Sequence, residues 1–304
     1  MLRKKKPYTK KATTHEEQLH ILRRHGVEIS DEEKAKEYLA DIGYYRLGFY
    51  MYPFEKTYPY LDYHRQHAVR PGTRIEDVMS LYYFDTDLRN ILNKYLSRIE
   101  IAIRTTMIYE LSNRYATNPI WFVDPNVVSA KFISKFPSEA YKSIKKKLPI
   151  QRHHKKYIEQ FAPAWKTMEF MTLGNLEILY DNLKWDRDKR LISSHFKELA
   201  IETFKSYLTT IREMRNACAH GNALFGMTLS AGIRTGKACS SFSGNEHQTF
   251  KGALRVVDFL LSQISVNRKA DMWDALYAAT KSLYEKTPSI RPIIESQTGI
   301  IMPI

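Results

Sequence analysis

Apolar residues along this chain recur three or four positions apart far more consistently than they alternate. The longest such pattern follows Thr73-Arg74-Ile75-Glu76, which reads as a capping box. From there Val78, Leu81, Tyr82, Leu88, Leu92, Tyr95, Leu96, Ile99 and Ile103 keep one apolar stripe to about Leu111, without Pro or Gly. That pattern predicts a central bundle helix. Upstream, Leu19, Ile21 and Leu22 predict a short helix over about Glu16 to Arg24, stopped by Gly26. Ser30 as N-cap, with Asp31, Glu32 and Glu33 behind it, predicts a second helix to about Ile42. Downstream, Pro163 opens a helix through Trp165, Met168, Leu173, Leu176, Leu179, Tyr180 and Leu183. Another helix spans about Lys197 to Ala219, residues 221–247 read as a long loop, and helical spacing resumes from Leu254 to Tyr284. No segment alternates as a strand and nothing repeats. The fold expected is an all-α helical bundle over 73–304, preceded over 1–72 by a basic tail and a helical extension.

Charge narrows the choice of partner. Lys and Arg number 47 against 33 Asp and Glu, a net charge of +14, and such an excess favours a polyanion, nucleic acid before a membrane surface. The tail (Arg3, Lys4, Lys5, Lys6, Lys10, Lys11) and the run Lys142, Lys145, Lys146, Lys147, Arg152, Lys155 and Lys156 concentrate it. A solvated face is the ordinary reading of such a run; a surface that tracks phosphates is the functional one. Gly43-Tyr44-Tyr45-Arg46-Leu47-Gly48-Phe49-Tyr50-Met51-Tyr52-Pro53-Phe54 is dense in aromatics, which either pack as a core seam or stack on bases. Two cysteines, Cys218 and Cys239, make no disulfide framework. No apolar run approaches the roughly 18–20 residues that span a bilayer, and the basic N-terminus lacks an apolar segment behind it. A cytoplasmic protein without membrane contact is expected.

The chemistry is sought in Ile211-Arg212-Glu213-Met214-Arg215-Asn216-Ala217-Cys218-Ala219-His220-Gly221-Asn222. A guanidinium holds phosphate through a planar fork, and histidine moves protons near neutrality. The spacing alone is unspecific, because Arg190-Leu-Ile-Ser-Ser-His195 repeats it. Context separates the two. Residues five apart on a helix point about 140° from one another, so Arg215 and His220 converge only if the helix ends between them or a second protomer contributes. Gly221 is placed as a C′ residue that ends the helix and leaves the imidazole at its negative terminus; Arg190 and His195 have no such breaker. Taken singly, Arg215 reads as a surface ion-pair partner of Glu213 or a neighbour, and His220 as a helix C-cap. On the central helix, Glu100 and Arg104 stand at i and i+4 and form either a structural salt bridge or a support for the site.

Five blocks in one order then resemble the Abi-like abortive-infection family of bacterial phage defence. They are Ile42-Gly43-Tyr44-Tyr45-Arg46-Leu47 with Pro53-Phe54, Tyr83-Phe84-Asp85 with Leu88-Arg89, and Arg98 through Thr105. Trp165 with Glu169, Thr172, Leu173 and Gly174 follows, and Arg215-Asn216 with Ala219-His220 closes the series. The resemblance runs to about residue 225 and more loosely beyond. It implies a helical ribonuclease of the HEPN type, whose signature is Arg-x4–6-His, often with Asn after the Arg. On it, Arg215, Asn216 and His220 inherit the active-site roles and Arg190 and His195 inherit none. It also implies a homodimer joining two motifs in one cleft, and association with RNA, including a structured noncoding RNA, which would suit Lys145, Lys146, Lys147, Arg152, Lys155 and Lys156. No cofactor and no metal are expected. Two rivals stand beside this reading: a noncatalytic RNA-binding scaffold, and a zinc site from Cys218, His220, Cys239 and His247, whose spacing matches no standard pattern.

Overall fold

The computed structural model describes Pro7, residues 9–60 and residues 65–302. Among these, every regular element is helical, and β pairing is limited to isolated bridges such as Val128 with Leu183. The fold is all-α, as the spacing predicts. The helices are α1 His15–Arg24, α2 Glu32–Ile42, α3 Tyr44–Met51, α4 Ile75–Arg114, α5 Ala130–Phe136, α6 Lys142–Ile144 and α7 Leu148–His154. They continue as α8 Ala164–Thr167, α9 Leu173–Asn182, α10 Asp186–Ser194, α11 Ile201–Ala219, α12 Phe250–Ile264, α13 Val266–Lys286 and α14 Arg291–Thr298. None is long and apolar enough to cross a membrane. Packing divides the described residues into two compact units: those up to Thr86 with Ala279–Glu295, and Asp87–Ala278 with residues 296–302.

In the first unit, Leu19, Leu22, Leu39, Leu47, Tyr50, Ile75, Val78 and Leu81 are buried. Thr14 caps α1 in a full capping box with Glu17. The cap of α2 is Asp31 rather than Ser30, its carboxylate accepting from the Lys34 N–H at 2.9 Å. The start of α4 moves by one residue for a related reason. Thr73 spends its hydroxyl on the Arg70 carbonyl (2.7 Å), and Asp77 reaches back to the Arg74 N–H (3.0 Å). The aromatic run divides between the two readings: Tyr50 and Phe54 are core, while Tyr45 is 83% and Phe49 51% exposed. Of the basic tail, Lys10 and Lys11 are exposed; Arg3, Lys4, Lys5 and Lys6 lie outside the described residues.

The second unit is built on the remainder of α4. Leu88, Leu92, Leu96, Ile99, Ile103, Met107 and Leu111 are all fully buried on one stripe. Phe204, Tyr207, Ile211 and Met214 give α11 a matching apolar face, and α9 and α12 contribute Leu176, Leu179, Val257 and Leu260. Lys197 and Glu198 take left-handed φ of 56° and 53°, so α11 begins only at Ile201. The helix expected from Pro163 is broken by a 3-10 turn at Met168–Phe170, and Thr172 restarts it by accepting from the Asn175 N–H at 3.2 Å. The loop after α11 is fixed by side chains, among them Ser206, which accepts from the Arg234 N–H at 2.9 Å.

Asp188, fully buried, ties α10 to the end of α4: Arg114 Nε lies 2.7 Å from its carboxylate, and the Tyr115 hydroxyl donates to it at 2.6 Å. Asp188→Ala strands both donors and should destabilise the fold by about 3 kcal/mol. Urea denaturation checks this, with a smaller loss expected for Asp188→Asn, which keeps an acceptor.

Candidate active site

The end of α11 is set by backbone geometry. Gly221 has φ of 67°, and the Asn222 N–H bonds back to the Ala217 carbonyl at 3.0 Å, the closure that a left-handed C′ residue permits. His220 is thereby the C-cap, its own N–H on the Asn216 carbonyl at 3.0 Å. The residue is exposed, and its imidazole has no hydrogen-bond or ionic partner among the described residues. Just past the turn, Arg89 of α4 points Nη1 at the Asn222 carbonyl, 3.4 Å away, and is 7% exposed. A buried guanidinium thus faces the negative end of α11.

Arg215, one and a half turns earlier, is held from α4. Its Nε lies 3.6 Å from Glu100 Oε2, while Glu100 Oε1 takes a 2.7 Å bond from Arg104 Nη2. The Glu100 and Arg104 side chains are 12% and 10% exposed, so this is a nearly buried pair rather than a surface one. Arg104 also donates to the Met171 carbonyl at 2.9 Å, and its Nε is buried without a hydrogen-bond partner. One carboxylate therefore serves two guanidiniums, and the group keeps a net positive charge. Arg215 itself is 38% exposed, with Nη1 3.5 Å from the Asn216 amide oxygen. The ion pair expected of Arg215 with Glu213 or a neighbour is thus made with Glu100 and not with Glu213. Glu213 accepts from the Ser230 N–H at 2.9 Å and lies 3.9 Å from Arg212, which is also paired with Glu177.

Arg89 was not among the residues expected at the site, although a signal existed. From Arg89, Glu100 lies about 20° and Arg104 about 60° round the helix. Arg89, Glu100 and Arg104 thus share one strip and are buried or nearly so, while Lys94 and Arg98 lie on the opposite, solvated side of the same helix.

The second Arg-x4-His is differently placed. His195 Nε2 lies 2.6 Å from Glu110 Oε1, so that imidazole is engaged, and Arg190 is exposed on α10. The zinc reading finds no support: among the described residues no three metal-capable side chains gather, and Cys239 Sγ takes a 2.8 Å bond from Arg255.

The basic run is indeed a surface. Lys142, Lys145, Lys146, Lys147, Arg152, Lys155 and Lys156 are all exposed, and none has an acidic partner among the described residues. His153, inside that run, is buried instead.

The chain matches the Abi-like protein family over residues 37–226, more than half of its length, and belongs to that family. Membership associates it with abortive infection, a form of phage defence. The matched span takes in Arg89, Glu100, Arg104, Arg215, Asn216 and His220. No curated protein and no solved structure matches the chain significantly.

The turn that carries His220 offers a direct test. A Cβ on Gly221 would meet nothing within 4 Å, so any cost of adding one comes from its φ alone. Gly221→Ala should lose about 1 kcal/mol, and Gly221→Asn less, because Asn tolerates the left-handed region. Thermal unfolding of the two variants beside wild type checks the order.

Proposed function

We propose that this protein is a metal-independent endoribonuclease of the HEPN type, acting in phage defence, with Arg215, Asn216 and His220 as its catalytic residues. One observation carries the reading. An exposed imidazole, without a partner among the described residues, stands at a fixed helix end, five residues after a guanidinium whose Nε edge faces a nearly buried carboxylate. RNA supplies its own nucleophile, so such a pair suffices for the chemistry. The ribose 2′-oxygen attacks phosphorus and loses its proton to a neutral imidazole. The P–O5′ bond breaks, and the leaving oxygen takes a proton from an imidazolium. A homodimer brings one His220 to each task. Arg215 stabilises the extra charge on the pentacoordinate phosphorus, helped by the surplus positive charge around Glu100, and Asn216 orients the guanidinium or a phosphate oxygen. Lys145, Lys146, Lys147, Arg152, Lys155 and Lys156 hold the RNA, a structured noncoding RNA being one candidate partner.

The exposed lysines by themselves also fit a scaffold that grips RNA without cutting it, and one assay separates the two. Purified wild type, Arg215→Ala and His220→Ala are incubated with labelled RNA in EDTA. Wild type should release fragments with 2′,3′-cyclic phosphate and 5′-hydroxyl ends, and each variant should cut on the order of a hundredfold more slowly or worse while still binding. Wild type that binds RNA and leaves it intact would sink the nuclease reading and favour the scaffold.

A further inference from the structure

A cavity that the catalytic reading does not use opens beside His153, which lies within the basic run. It measures about 320 Å³ and lies among His153, Tyr157, Glu159, Phe161, Trp165 and Lys166. His153 is 7% exposed, and both of its ring nitrogens are shielded from solvent without a hydrogen-bond partner among the described residues. A buried donor and acceptor left together are costly unless something completes them. Tyr157 lies on the imidazole, ring centroids 4.7 Å apart and planes inclined by 28°, yet is itself 52% exposed. Trp165 is 50% exposed, and Ile158 beside Tyr157 is fully exposed. Burial, and after it the nearby Lys166 charge, lowers the His153 pKa, which keeps the ring neutral with one N–H and one lone pair.

We propose that this cavity is a nucleobase pocket for single-stranded RNA, in which an unpaired base stacks on Tyr157 and Trp165 and bonds to His153. The inference rests on the reading of RNA as partner, and adds how one nucleotide is gripped. Three features favour a base over an apolar peptide side chain. The volume sits at the lower end of the roughly 300–1,000 Å³ range of ligand pockets, room for one planar ring. A base edge presents donors and acceptors together, as a neutral imidazole does. Lys155 and Lys156 directly precede Tyr157 in the chain, and Lys166 lines the cavity, so cations lie ready for the adjoining phosphates. Tyr157 moves off the imidazole to admit the base and closes on its outer face.

The test uses the full chain carrying His220→Ala, in EDTA, with fluorescent single-stranded oligo-A and oligo-U and an RNA duplex of equal length. Tyr157→Ala and Trp165→Ala should each weaken single-strand binding by roughly tenfold, stacking being sequence-tolerant and strong, and barely change duplex binding. Tyr157→Phe should retain affinity. The slope of affinity against salt should stay that of the parent, since no phosphate contact is removed. Quenching of 2-aminopurine in the oligonucleotide on binding should vanish in Tyr157→Ala. Both side chains are half exposed, and circular dichroism confirms the folded state. Unchanged single-strand affinity in both alanine variants, or equal losses for single strand and duplex, would falsify the pocket while leaving RNA binding intact. A parent protein that binds neither RNA overturns the partner reading, and the pocket with it.

Discussion

The second unit turns on the carboxylate of Glu100. It is almost wholly removed from water, where an unpaired charge is not tolerated, and it is compensated twice, by Arg104 from its own helix and by Arg215 from α11. Removing either member of such a buried group leaves the rest uncompensated, which costs more than the pair contributes when intact. The charge balance also decides what the site can hold. One acid alone would repel a phosphate; one acid between two guanidiniums leaves a positive surplus, and its only half-buried member is Arg215. Lysine could not replace Arg215 without loss, because only the planar fork can face Glu100 with Nε and keep further N–H groups for a ligand.

The two catalytic candidates are positioned by different physics. Arg215 depends on a side-chain ion pair and His220 on the way a backbone stops. Both still refer to α4, through Glu100 in one case and through Arg89 at the Asn222 carbonyl in the other. One strip of α4, carrying Arg89 and Glu100, therefore registers both ends of the Arg-x4-His segment. The second Arg-x4-His has a different relation to that helix: Glu110 of α4 holds Nε2 of its histidine directly, whereas α4 reaches His220 only through the turn that follows it.

Much of this was legible in the sequence, for physical reasons that can be named. The α4 stripe could be read because its burial follows a strict 3.6-residue period, and the end of α11 because Gly-Asn is a local signal that needs no tertiary partner. The break between α8 and α9 was hidden, since the apolar spacing runs on through Met168 and Leu173 while Thr172 turns the backbone. The cap of α2 fell one residue late because Asp31 takes the role expected of Ser30, and the start of α4 because Thr73 turns its hydroxyl to the Arg70 carbonyl while Asp77 holds the Arg74 N–H. The partner of Arg215 could not be read at all. Glu213 is nearer in sequence, and its engagement by the loop residue Ser230, and by Arg212, appears only in the fold. His153 was concealed by its lysine neighbours, as one buried residue on a helix face whose other positions are solvated.

On the proposed reading, these differences separate affinity from chemistry. The lysines and Arg152 of the basic run have no acidic partners among the described residues, so on this reading their charge displaces counterions, and binding through them should be strong, salt-dependent and indifferent to sequence. Arg215 is already half committed to Glu100, which weakens it as a generic phosphate binder but fixes its direction. An anchored cation gives up ground-state attraction and avoids reorganisation when charge develops on phosphorus, the exchange that favours a transition state over a bound substrate. A chain with only the basic run would hold RNA indiscriminately, and one with only the anchored pair would seldom meet it. The presence of both in one compact unit is what makes a nuclease the economical explanation of this Abi-like protein.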